Sequence, residues 1–87
     1  MKREIHEIAR EISDTWVDKK GNPAKARWCA DAYLMPMFDL GTMDDRYGCD
    51  SAVSVVLYFL ANAAQFRGAD ARRLKQELRA QLPVRYR

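Results

Sequence analysis

Residues 51–66, SAVSVVLYFLANAAQF, decide how the rest of the chain is read. Twelve of the sixteen are apolar. The polar remainder, Ser51, Ser54, Asn62 and Gln65, recurs with the hydroxylated Tyr58 at steps of three and four, so on an α-helix these residues form one narrow polar stripe. A helix that is apolar on its remaining sides is normally enclosed by neighbours. The expectation is therefore an all-α domain, a small four-helix bundle around a buried third helix.

Moving outward, Asp50 or Ser51 supplies the N-cap of that helix, and Arg67-Gly68 ends it. The last helix is expected over 69–82. Ala71, Leu74, Leu78 and Leu82 form its apolar stripe, and Pro83 stops it before a basic tail at 83–87. On the N-terminal side, Ile5, Ile8, Ile12 and Trp16 place a first helix over 2–19, with Lys19 and Lys20 suiting its C-terminal end. Gly21-Asn22-Pro23 breaks it. A second helix is expected over 24–35, with Trp28, Ala32 and Met35 as one stripe, kinked or stopped by Pro36. No stretch alternates apolar and polar residues long enough to argue for a sheet. The 87 residues make one domain, 1–87, with one modest core.

Several function classes are thin. The central run is shorter than the roughly 20 residues a membrane span needs, and it carries Asn62 and Gln65. The opening MKREIHEIAR lacks the apolar core of a signal peptide, so the expected compartment is the cytosol in which the chain is made. Cys29 and Cys49 do not make a disulfide framework and read as small buried thiols. No metal-ligand spacing, EF-hand or glycine-rich phosphate loop occurs, so no metal and no cofactor is expected. His6 reads as a surface histidine, and Cys49 is the one candidate nucleophile, near a helix start. The expectation is a protein that is not an enzyme.

Charge is more informative. Net charge is +3. Residues 36–66 hold one arginine against four aspartates, while 67–87 hold seven basic groups against two acidic ones. The acidic group is Asp39, Asp44, Asp45 and Asp50. It has two readings: ordinary turn and cap chemistry, or a carboxylate cluster that imitates DNA phosphates and occupies an arginine-rich nucleic-acid site on another protein. The basic group is Arg67, Arg72, Arg73, Lys75 and Arg79, a surface for a protein partner or for nucleic acid. A helix–turn–helix reading fails where Arg67 and Glu77 fall at positions needing apolar side chains. The polar stripe of the third helix leaves room for a homodimer.

Three quoted segments carry a resemblance. They are Tyr47-Gly48-Cys49-Asp50-Ser51-Ala52, Tyr58-Phe59-Leu60-Ala61-Asn62-Ala63, and Phe66-Arg67-Gly68-Ala69-Asp70-Ala71-Arg72. As a set, over residues 45–82, they resemble a group of short phage and prophage proteins. That resemblance implies a small accessory protein that binds and inhibits a host protein, with a CRISPR-Cas effector among the targets, in the manner of an anti-CRISPR inhibitor. It carries no catalytic residues. The alternative is a nucleic-acid-binding accessory protein using the basic C-terminal helix.

Overall fold

The computed structural model describes residues 2–86. Among them the chain forms four α-helices: α1 (Ile5–Thr15), α2 (Trp28–Met37), α3 (Ala52–Ala61) and α4 (Ala69–Gln81). Single 3₁₀ turns at Lys25–Arg27 and Val84–Tyr86 flank α2 and α4. Two short strands, β1 (Arg46–Tyr47) and β2 (Asp50–Ser51), pair antiparallel with Arg46 opposite Ser51. The domain is thus mostly helical but not all-α.

α1 is the expected amphipathic helix, though shorter than 2–19. It starts at Ile5 because Glu4 is extended and shares a reciprocal capping box with Glu7. Two more of its first N–H groups are satisfied from afar: Ile5 donates to the Gly41 carbonyl (2.8 Å) and His6 to that of Leu40 (2.9 Å). A side chain at Gly41 would push on two carboxylates. A Cβ would lie 2.7 Å from Glu4 Oε2 and 3.0 Å from Asp45 Oδ2. The helix stops at Thr15 because the chain folds back. Val17 bridges Pro23, and the Asp18 carboxylate accepts N–H bonds from Lys20 and Asn22. Lys19 and Lys20 therefore belong to a loop, and Gly21 takes the left-handed turn position (φ 84°).

Pro23 does not open α2. Ala24 stays extended and a 3₁₀ turn intervenes, so α2 begins at Trp28. It runs past Pro36, which falls in its last turn, and tightens through i→i+3 bonds at Phe38, Asp39 and Leu40. Arg27 fastens the junction. Its guanidinium is buried, bonds Asp31 Oδ1 (2.9 Å) and donates to the Ser13 and Trp16 carbonyls at the end of α1. A cation there suits the negative pole of a helix and leaves no charge unpaired.

α3 ends at Ala61 rather than Phe66. Asn62 folds its amide onto the Tyr58 carbonyl (2.8 Å), closing the helix, and residues 62–67 turn. Ser51 is the N-cap, accepting from the Ser54 N–H (3.1 Å). Gly68 (φ 109°) is the N-cap of α4 rather than the C-cap of α3. α4 matches its expected span to within one residue, and the tail beyond Pro83 forms the second 3₁₀ turn. Arg87 lies outside the described residues.

Packing pairs α1 with α4 and α2 with α3. Ile5, Ile8 and Ile12 are buried with Leu74, Leu78 and Leu82, and Leu34 and Met37 with Val56 and Phe59, in one continuous core. Trp16 joins the halves, stacked on Phe66 (4.9 Å) and edge-on to Phe59 (6.5 Å). Each such side chain contributes about 1.5–3 kcal/mol by burial. α3 is not the hidden axle that its composition implies. Its Phe59 side is fully buried, but Tyr58 is 57% exposed and Ala61 is open to solvent.

Candidate functional site

α2 carries two apolar stripes, and the core takes the smaller one. Ala30, Leu34 and Met37 are buried, whereas Trp28, Ala32 and Met35, expected inside, face outward. Trp28 is 74% exposed and Met35 57%. Cys29 is exposed beside them. Tyr33, half-buried, stacks on Tyr58 of α3 with ring centroids 5.4 Å apart. This ring pair packs α2 against α3. Between them α2 and α3 contain a single charged residue, Asp31, which Arg27 neutralises. Two adjacent helices with no unpaired charge thus expose Trp28, Met35 and Tyr58. Trp, Tyr and Met are the residues enriched at protein interfaces.

The acidic loop joins the C-terminal end of α2 to the N-terminal end of α3. Its aspartates have divided roles. Asp45 Oδ2 accepts the N–H groups of Gly41 (2.7 Å) and Thr42 (3.1 Å), and the Thr42 and Gly41 donors hold its pKa below the usual carboxylate range. It is thus a strut for the turn that caps α1. Asp39, Asp44 and Asp50 are exposed, with no ion pair among the described residues. Asp39 lies two residues beyond α2 and Asp50 two before α3, so both flank the aromatic surface. Arg46 closes the hairpin by donating to the Cys49 carbonyl (2.8 Å), which leaves Cys49 exposed in its turn. Both thiols expected to be buried are therefore on the surface.

The basic residues divide as well. Arg73 faces α1 and pairs with Glu11 and Asp70. Arg3 bridges Glu11 (2.8 Å) and Glu77 (2.6 Å) across the same seam. Arg73 and Arg3 together hold Glu11 below its ordinary pKa. Lys75 turns the other way and donates to the Phe66 carbonyl (2.7 Å). Burial, then the charges of Arg79 and Arg67, push its ammonium below the ordinary lysine value. Arg67, Lys75 and Arg79 are therefore neighbours, and Arg72 continues the row one helical turn away.

His6 lies 3.2 Å from Glu4 on the rim of α1. Among the described residues no three His, Cys, Asp or Glu side chains come together as a metal site, and no helix is long and apolar enough to cross a membrane. The aromatic surface was missed by stripe analysis, although the near absence of charge from both helices was its signal. Comparison with protein-family models, with curated proteins and with solved structures finds no match for this chain.

Proposed function

We propose that this chain is a non-enzymatic binding protein that occupies a surface on another protein, with the aromatic face of α2 and α3 as the contact. The observation that carries the reading is the outward Trp28–Met35 stripe of α2, together with the exposed Tyr58 of α3, which stacks on Tyr33. Rigid aromatic side chains in a charge-free patch supply most of the energy of typical interfaces. Asp39 and Asp50 define the complementary partner: an apolar groove rimmed by arginine or lysine. Proteins that hold nucleic acid present such rims. An isologous dimer would bring these acidic flanks toward another copy of the same acidic patch, which favours a foreign partner. The resemblance to phage and prophage proteins makes a host protein, CRISPR-Cas effectors included, the first partner to test, in the host cytosol.

A photo-crosslinker at Met35 tests the contact, with one at Arg10 on the far helix as control. In host extract, position 35 should form one discrete adduct that disappears in Trp28→Ala plus Tyr58→Ala, and position 10 should form none. Equal adducts from both positions, or an adduct with a second copy of the chain, would refute the foreign-partner reading. Purified effector complexes then test the narrower one: stoichiometric co-elution lost in the double variant supports an anti-CRISPR role, and no co-elution rejects it.

A further inference from the structure

Along α4 the charges are sorted by side. Asp70 and Glu77 face the α1 seam, where Arg73 and Arg3 neutralise them. Arg72, Lys75 and Arg79, spaced three and four apart, form the opposite edge, and Arg67 extends it. What lies beside that edge matters. Lys75 leans on Phe66, with its ammonium 5.8 Å from the ring centre, so the neighbouring wall is the turn that follows α3. Residues 51–68 contain no acidic side chain. Arg72 and Arg79 make no ion pair among the described residues. The edge is therefore a cationic ridge without an ion-pair partner among the described residues.

We propose that this ridge is a second binding site, one that takes the phosphate backbone of a nucleic acid. From Arg72 to Arg79 the helix rises about 10 Å. Phosphates on one strand recur about every 3.4 Å of helix axis, so the ridge faces about three of them. Arginine's planar fork suits phosphate oxygens. An acidic protein fits less well: protein interfaces have an apolar centre, and α4 exposes no large apolar side chain. A membrane surface fits less well too, because α4 already spends its apolar face on Leu74 and Leu78 in the core. The site does not depend on protein capture by α2 and α3.

Fluorescence anisotropy of the full chain with labelled duplex DNA, single-stranded DNA and single-stranded RNA tests it. Binding should weaken about a hundredfold in salt between 50 and 200 mM, as expected for about three phosphates along α4 and one more at Arg67. In Arg72→Ala plus Arg79→Ala the loss over that range should shrink to about tenfold. Lys19→Ala plus Lys20→Ala removes equal charge from a distant loop and should leave both values near those of the unaltered chain. Whichever of the three probes binds tightest identifies the source of the phosphate. No binding to any probe at low salt, equal losses in both double variants, or preference for phosphatidylserine vesicles over every nucleic acid would each overturn the assignment.

Discussion

The two helix pairs solve the same packing problem in opposite ways. α1 and α4 each have one apolar stripe, and their edges are sealed by charge: Arg3, Glu11, Arg73 and Glu77 interlock across the seam. Gln81 adds a bond to the Arg3 carbonyl (2.8 Å). α2 is apolar on both sides: Ala30, Leu34 and Met37 build the core, while Trp28, Ala32 and Met35 are left in water, and α3 adds the exposed Tyr58. The α1–α4 pair is therefore complete in itself, whereas the α2–α3 pair has the character of half an interface. A small domain gives up stability for each exposed aromatic it retains, so retention on this scale points to use.

Two aromatic residues break or confirm that contrast most sharply. Phe59 on α3 is fully buried, and Trp28 on α2 is mostly exposed. Phe59→Ala should cost about 3–5 kcal/mol, a large share of the roughly 5–15 kcal/mol that holds a domain folded. Trp28→Ala should change stability by less than about 0.5 kcal/mol, because little is unpacked. Urea midpoints of the two variants decide the matter. If Trp28→Ala proves as damaging as Phe59→Ala, α2 is rotated and the aromatic face does not exist.

A smaller effect probes the sealed pair. Glu11 sits between two arginines, and its carboxyl pKa is lowered from an ordinary 4.5, first by Arg73 and then by Arg3. A depressed folded-state pKa contributes stability above the unfolded value, and that stability is lost as pH falls through the folded one. The seam is partly solvated, so the contribution is at most about 1 kcal/mol and weakens with salt. Glu11→Gln should lower the urea midpoint at pH 7, and the deficit should shrink as pH falls below the ordinary carboxylate value. A deficit that stays constant as the pH falls would show that the carboxylate charge is not the cause.

The same contrast explains how much could be read in advance. Ile5, Ile8 and Ile12, or Leu74, Leu78 and Leu82, point to one side because charge occupies the others, so α1 and α4 were legible. Helix α2 offers Trp28-Ala32-Met35 and Ala30-Leu34-Met37 at equivalent helical spacings. Periodicity cannot choose between them, and side-chain size favours the stripe that turns outward. The hairpin at 46–51 has strands of two residues, too short to alternate. The bonds from α1 to Gly41 and Leu40 join residues some 35 apart and leave no local trace. The basic helix was visible as a set. Which cations are cancelled depends on the face that meets α1: Arg73 is paired, and its neighbour Arg72 is not. The acidic loop was visible in the same way, but Asp45 is drawn into its own turn.

The cysteines offer the finest test, because they sit on the two kinds of surface being contrasted. Cys29 follows Trp28 on the exposed side of α2, and Cys49 lies in the hairpin turn after Gly48 (φ 61°). Both should react with a thiol reagent in the native state, with no added step in denaturant, since neither sulfur is shielded. The consequences should differ. A bulky adduct on Cys29, formed in Cys49→Ser, places a group within the aromatic face and should block the Met35 crosslink. The same adduct on Cys49, formed in Cys29→Ser, sits on a polar hairpin and should leave the crosslink intact. Thiols that titrate only after unfolding would restore the buried reading of both residues. Equal inhibition by the two adducts would move the contact off α2 and toward the loop, where Asp39, Asp44 and Asp50 would become its centre rather than its rim.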